Sequence, residues 1–324
     1  MASKAFIELP GGYNMPSVGL GTWQAKDEKE LESALNAALE AGYRHIDTAF
    51  DYGNEAIIGK IVKKWIDSGK IKREELFITT KLPVSAVRPS SVEEHLKMSL
   101  ENLGLQYVDL YLIHFPVCLK PDDGSNKDKK FYETEITDHI AVWKKMEEQV
   151  NAGRTRSIGL SNFTAKQIER ILKSNPKYKP ANLQNEIHVY MQQQDLVKYC
   201  HQNGISVTAY SPLGSPGMNK FLVSMGLEPE QLPDMLTDET IKAIAKKHKK
   251  TNAQIMLRYL LQRNIIVIPK SVTPSRLKEN IEIFDFELDT EDVAALNSLE
   301  VGPKARVCNW RALPGLEKNP EYPF

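Results

Sequence analysis

Residues 45–81 read HIDTAFDYGNEAIIGKIVKKWIDSGKIKREELFITTK, and they hold the repeating unit of the fold. His45-Ile-Asp-Thr48 is a short strand. From Asn54 to Asp67, Ile57, Ile58, Ile61, Val62 and Trp65 recur at helical spacing. Leu76-Phe-Ile-Thr-Thr-Lys81 is again a strand. Two strands separated by a helix lie parallel and are joined by a right-handed crossover.

The alternation extends in both directions. Upstream, Ile7-Glu-Leu-Pro-Gly-Gly12 reads as a small hairpin with Gly-Gly as its turn, followed by a strand over Ser17–Thr22. Asp27–Ala41 is an amphipathic helix with Leu31, Ala34, Leu35, Ala38 and Leu39 on one face. Downstream, the spacing predicts a helix over Ser90–Leu103, with Ser90 as its cap and Glu93 completing a capping box. Then come strand Val108–His114, helix Asp138–Asn151, strand Ser157–Ser161 and helix Thr164–Ser174. Strand Leu183–Ile187, helix Gln193–Asn203 with Gly204 just past its end, and strand Ser206–Tyr210 follow. Two helical stretches (Thr240–Lys249 and Asn252–Gln262), strand Ile265–Ile268 and a last turn of helix over Ser275–Ile281 complete the pattern. Eight strand–helix units imply a closed (β/α)8 TIM barrel, with an N-terminal β-hairpin and a long C-terminal loop, as a single domain over residues 1–324. The competing fold is a doubly wound open sheet, whose first turn usually carries GxGxxG. Gly19-Leu-Gly21-Thr-Trp-Gln24 lacks the third glycine.

Composition narrows the function. Lys+Arg and Asp+Glu both number 42 among 324 residues, so the net charge is zero, which argues against nucleic-acid binding through bulk charge. Cys118, Cys200 and Cys308 form no CxxC pair, which disfavours a disulfide framework or a thiolate zinc site. The opening residues carry charges where a signal peptide needs an apolar run, and no apolar stretch is long enough for a membrane span. Glu-Tyr-Pro-Phe324 is neither a prenylation nor a peroxisomal signal. The expectation is a cytoplasmic protein with reduced thiols. The run Lys246-Lys-His-Lys-Lys250 reads as a solvated helix end suited to the helix dipole.

Three segments break the repeat: Val117–Ile136, the Gly/Pro-rich Leu213–Thr237, and the tail Val301–Phe324, which retains Trp310, Leu313, Leu316, Tyr322 and Phe324. All are expected over the face formed by the strand-to-helix loops, where barrel enzymes keep their chemistry. Polar residues at the strand ends there are Asp47, Lys81 and His114, with Tyr52 just beyond Asp47. Singly, Asp47 could cap a helix, Lys81 could reach water and His114 could be a satisfied core histidine. Together they make a proton-donating constellation at one mouth.

These residues sit in segments that resemble the aldo-keto reductases. The matches are Gly19–Trp23, Gly42–Ala49, Tyr52–Glu55, Thr80–Leu82, Asp109–Pro116, Gly159–Phe163, Gln184–Glu186, Tyr210–Gly214 and Ile268–Ser271. They span the chain from about residue 7 in family order. The chain is similar to the animal aldose-reductase-like members, and its overall wording to insect members, 3-dehydroecdysone reductases among them.

The resemblance implies an NADPH-dependent enzyme that passes a hydride from nicotinamide C4 to an aldehyde or ketone. Tyr52 would donate the proton, Lys81 would lower its pKa, Asp47 would hold Lys81, and His114 would position the carbonyl oxygen. Ser161, Asn162 and Gln184 match the carboxamide contacts, Tyr210 the ring that stacks on nicotinamide, and Ser211, Leu213 and Ser215 the loop over the pyrophosphate. Lys270, Ser271 and Arg276 match the 2′-phosphate clamp, and Glu279 and Asn280 the adenine contacts. Thr22, Trp23 and Asp47 also occupy cofactor positions. Lys270 and Arg276 would otherwise pass as surface charge, and Asn162-Phe-Thr164 as a glycosylation sequon.

Trp23, Phe50, Asp51, Phe115, Cys308 and Trp310 match the substrate pocket. Three of its features depart from the aldose-reductase pattern: Phe115 and Pro83 stand where Trp is usual, and Asp51 takes an apolar position. The expectation is a wider pocket with one added carboxylate, suited to a bulky or hydroxylated ketone such as a 3-keto ecdysteroid. Cys308 reads equally as an oxidisable thiol at the pocket edge or as an inert buried one. The resemblance implies a monomer acting on a small-molecule carbonyl substrate, with no nucleic acid, membrane or metal as a partner. A cofactor-binding barrel with a structural or regulatory role is the alternative, and the complete Asp47/Tyr52/Lys81/His114 set argues against it. Reduction of a steroid C=C bond is disfavoured, since members doing that carry Glu where His114 stands.

Overall fold

A computed structural model describes residues 5–120, 132–310 and 312–324. Eight parallel strands pair in chain order: β1 (Leu20–Gly21), β2 (His45–Asp47), β3 (Phe77–Leu82), β4 (Val108–Ile113), β5 (Thr155–Ser161), β6 (Asn182–Glu186), β7 (Ser206–Tyr210) and β8 (Ile265–Val267). Parallel bridges Val18–Val267 and Gly21–Lys270 join first to last and close the barrel. The strands are buried along nearly their whole length, as a sheet covered on both faces requires.

The closure explains the glycines that the dinucleotide fingerprint did not. A Cβ on Gly21 would stand 2.6 Å from the Ile268 carbonyl oxygen, and one on Gly19 would overlap the His45 ring. These residues are small because the first strand is squeezed between its neighbours.

The helices fall close to their expected places. α1 (Glu28–Glu40) buries Leu31, Ala34, Leu35, Ala38 and Leu39, and Asp27 caps it by accepting from the Glu30 amide at 2.8 Å. α2 (Glu55–Asp67), α4 (His139–Asn151), α5 (Ala165–Lys173), α6 (Gln194–Gln202), α8 (Glu239–His248), α9 (Asn252–Gln262) and α10 (Pro274–Ile281) each lie within two residues of the expected bounds.

Helix α3 (Val92–Leu103) starts differently from the expected Ser90 capping box. Pro89 opens a 3₁₀ turn over Pro89–Ser91, Ser91 becomes the cap without a side-chain bond, and Glu93 pairs with Lys97 and Arg154. Proline forces Arg88 into the extended region and delays the helix. Two helices were not expected. α7 (Met218–Ser224) lies inside the Gly/Pro-rich segment, and α11 (Thr290–Asn297) carries a capping box made by Asp289 and Asp292.

The N-terminal hairpin pairs Phe6–Glu8 with Asn14–Pro16 around Gly11 and Gly12, both at positive φ. Leu9 and Met15 pack on Phe77, Leu110, Leu112 and Ile266. The hairpin is therefore the floor of the barrel, and the opposite end is free for chemistry. Residues 121–131 of the Val117–Ile136 segment lie outside the described residues. The basic run at the end of α8 meets acidic partners: Lys247 pairs with Asp289 and Asp292, His248 with Asp292, and Lys250 with Asp285.

His45 is fully buried beside Phe77. Burial lowers its pKa from 6.5 to about 4. The unfolded chain takes up this proton below pH 6.5 while the native state holds the ring neutral to about pH 4, so stability falls as pH drops through that window. The contribution is about 3 kcal/mol between pH 7 and 4. The unfolding free energy of His45→Gln, from urea titrations, should decline with falling pH by that much less than that of the parent.

Candidate active site

At the open end, β2 and β3 bring Asp47 and Lys81 together. Lys81 has no exposure, and its Nζ donates to Asp47 Oδ1 at 2.6 Å, to the Thr48 carbonyl at 2.8 Å and to the Tyr52 hydroxyl at 3.3 Å. The second Asp47 oxygen accepts from Gln184 Nε2 across the mouth at 2.7 Å. Tyr52 ends a 3₁₀ turn (Phe50–Tyr52) closed by Gly53 at φ 66°. Buried Asn54 fixes this turn, donating to the Thr22 and Ala25 carbonyls and accepting from Thr48 Oγ1. Thr22 Oγ1 in turn donates to the Asp47 carbonyl at 2.9 Å.

Lys81 is within reach of the Tyr52 hydroxyl, but the net direction at that phenol is set by its burial and by the carboxylates around it. Burial, with Asp47 and Asp51 nearby, raises the phenol well above its ordinary value. Burial also lowers Lys81 itself, against the pull of Asp47.

His114, just past β4, meets the Tyr52 ring at 5.6 Å and the Trp310 ring at 5.4 Å. Burial holds its pKa below the usual value, with Asp51 opposing, so the ring is neutral at pH 7. Asp51 Oδ2 stands 3.3 Å from His114 Nδ1, but the contact is misaligned for a hydrogen bond and leaves Nδ1 without a partner. The same Asp51 oxygen accepts from the Val84 amide.

Beyond these lies a second group of strand ends. Asn162, at φ 65°, donates from Nδ2 to the His114 carbonyl (2.9 Å) and to Ser161 Oγ (3.1 Å), and accepts from the Tyr210 hydroxyl (2.6 Å). Its buried amide is fully engaged, which suits a site residue better than a glycosylated one. Ser211 and Ser215 both adopt positive φ, with hydroxyls 2.7 Å apart and Leu213 half-buried between them.

Past β8, Lys270 and Arg276 are exposed and make no ion pair among the described residues. They flank the start of α10, whose cap Thr273 makes no side-chain bond. Ser271 and Glu279 are half-buried and Asn280 is buried. Unpaired cations beside open helix amides fit a phosphate, and the half-exposed Tyr210 ring offers a stacking face, so these residues fit a nicotinamide dinucleotide.

The apolar wall is divided. Trp23 meets Phe221 of α7 edge-on at 5.1 Å, and Phe50 packs on His95. Trp310 and Cys308 are half-buried. Phe115 is fully buried, covered by Trp310 at 4.4 Å and by Tyr322 and Phe324. It supports the wall from behind and does not face the opening, because the tail packs on it. Burial and Glu186 hold the Cys308 thiol well above its ordinary pKa, which disfavours the oxidisable reading.

Two features escaped the sequence: α7, which carries Phe221 to Trp23, and Glu186, which binds the tail. Glu186 lies two residues beyond Gln184 on the same strand face, and that alternation was the available signal. Among the described residues there is no group of three His, Cys, Asp or Glu able to hold a metal, and no helix is long and apolar enough to cross a membrane. Asp47→Asn would leave Lys81 buried without a counter-charge, and chemical denaturation should show a loss of about 3–5 kcal/mol.

The aldo/keto reductase family model matches residues 17–301. Rho crystallin of Aquarana catesbeiana is 41% identical, covering 100% of this chain and 98% of its own. Aldo-keto reductase family 1 member A1 of Gallus gallus is 40% identical over 98% of this chain and 97% of its own. The solved structure of aldose reductase from Schistosoma japonicum superposes with a TM-score of 0.87 at 40% identity, over 99% of each chain. The chain belongs to the aldo/keto reductase family and is an oxidoreductase that uses a nicotinamide cofactor.

Proposed function

We propose that the chain reduces aldehydes and ketones to alcohols with NADPH, and that Tyr52 is the proton donor. The observation that carries this is the Lys81 ammonium bound at once to Asp47, the Thr48 carbonyl and the Tyr52 hydroxyl. When bound, NADPH supplies the hydride from nicotinamide C4. The substrate carbonyl oxygen gains negative charge as its carbon is reduced. Tyr52, protonated at pH 7, gives it a proton, and Lys81 stabilises the phenolate left behind. Neutral His114 positions the oxygen beside Tyr52. Ser161, Asn162 and Gln184 bind the carboxamide, Tyr210 stacks on the ring, and Thr22 and Trp23 stand alongside. Ser211, Leu213 and Ser215 cover the pyrophosphate, while Glu279 and Asn280 hold the adenine. Lys270, Ser271 and Arg276 favour NADPH over NADH through the 2′-phosphate.

For the substrate, the half-exposed Asp51 and the absence of Trp at position 83 favour a bulky or hydroxylated ketone, a 3-keto ecdysteroid being one example. Trp23, Phe50, Cys308 and Trp310 would form the apolar wall, with Phe115 behind. The setting we infer is the cytoplasm, with the whole chain acting as a monomeric unit. The reading of a cofactor-binding barrel without turnover draws on two relatives that are named as crystallins and not for a reaction.

Absorbance of reduced nicotinamide, followed with a reactive aromatic aldehyde, decides between them. Tyr52→Phe should lower kcat by about 10²–10⁴-fold with NADPH affinity little changed. Failure of the parent to turn over while binding NADPH would favour the second reading. Arg276→Ala should weaken NADPH by about 10–100-fold and leave NADH binding unchanged, as titrated by protein fluorescence. Equal kcat/KM for small aldehydes and keto-steroids would rule out the wide-pocket substrate.

A further inference from the structure

Glu186 is a fully buried carboxylate with no part in the proton-donating group. It ends β6 on the face that carries Gln184, so it projects at the mouth. Its Oε1 accepts from the Val307 amide at 2.6 Å and its Oε2 from the Cys308 amide at 2.7 Å, across more than a hundred residues of sequence. His188 Nε2 stands 3.0 Å from Oε1 and is the donor, since a carboxylate oxygen only accepts. One carboxylate thus fixes two successive amides of an irregular tail where that tail reaches the site. Charge-assisted bonds of this kind are strong and short.

Two branches leave this anchor. Cys308 Sγ contacts Ser211 Oγ at 3.4 Å, and Ser211 meets Ser215, so the anchor touches the loop assigned to the cofactor. Two residues further on, Trp310 at φ 60° lies against His114 and Phe115. Between the anchor and Trp310 the tail belongs to no helix or strand, so its path depends on these fixed points and on Asn309, whose carbonyl accepts from the Tyr322 hydroxyl at 2.6 Å and whose Nδ2 donates to Glu230.

We propose that Glu186 is a positioning residue for substrate selection: by holding the Val307 and Cys308 amides it sets how far Trp310 stands from His114, and so the width of the substrate opening. This rests on the carbonyl-reductase reading above. The consequence concerns the wall and not the chemical step, because Glu186 touches none of Asp47, Tyr52, Lys81 or His114.

Glu186→Gln preserves shape but turns an NH₂ group toward a backbone N–H. In the full chain it should raise KM for a bulky keto-steroid about tenfold while kcat for a small aromatic aldehyde stays within about threefold. The KM effect should vanish in a Trp310→Ala background, since both changes then act on the same wall. Amide hydrogen exchange over Val307 and Cys308, slow in the parent, should quicken in the variant. Equal losses for both substrates, additivity with Trp310→Ala, or unchanged exchange would each overturn the proposal. Should Glu186→Gln fail to fold, Glu186→Asp, which withdraws the same charge by one methylene, carries the same comparison. A parent without turnover would count against the carbonyl-reductase reading alone, and the exchange measurement would still decide whether Glu186 anchors the tail.

Discussion

A lysine ammonium without solvent contact is the constraint around which the open end of this barrel is arranged. Taking a charge out of water costs several kcal/mol, and only close, well-directed partners offset it. Lys81 needs Asp47 at 2.6 Å, the Thr48 carbonyl and the Tyr52 hydroxyl, and Asp47 in turn needs Gln184 to satisfy its second oxygen. Those groups come from β2, the turn after it, β3 and β6. An open sheet ordered as these strands are would leave Gln184 far from Asp47, so the charge pair and the closed barrel require each other. The Tyr52 phenol is placed as a by-product of this: it is the third acceptor that the ammonium finds.

The same economy governs the ends of the barrel. The floor is filled by Leu9 and Met15 from the hairpin, so the lower end carries no opening. Above, the tail covers Phe115 and leaves Trp310 at the rim. Closure itself relies on Gly19 and Gly21, where a methyl group would overlap the His45 ring or the last strand. Residues that look like a cofactor fingerprint in one dimension are packing requirements in three.

This shows how far the sequence could be read. The eight units were visible because their strands are continuous apolar runs and their helices keep an apolar stripe, both local patterns. The strand-end set was visible because polar residues interrupt those runs at matching places. The start of α3 was misread because Pro89 overrides the capping preference of Ser90. α7 was hidden because Met218 and Leu222 gain their burial from Val307, a partner far along the chain. α11 carried its capping box openly, but few apolar residues mark its stripe. The direction of the Tyr52 pKa was beyond pattern reading altogether. It depends on how completely the phenol is buried and on the Asp47 and Asp51 carboxylates beside it, and neither is a property of spacing.

Backbone strain gives an independent view of the mouth. Among the non-glycine residues there, Asn162, Ser211, Ser215 and Trp310 hold left-handed conformations, each costing about 1–3 kcal/mol unless its surroundings over-determine it. Asn162 is over-determined by bonds to His114, Ser161, Asn185 and Tyr210. Ser211 and Ser215 support each other through their hydroxyls, and Trp310 is held by the rings of His114 and Phe115 and by the Leu313 amide donating to its carbonyl. The degree of support falls in that order, from a rigid strand end, through a loop, to the tail. The last follows two amides, Val307 and Cys308, that Glu186 holds through both of its carboxylate oxygens, so the tail is pinned just before its strained residue.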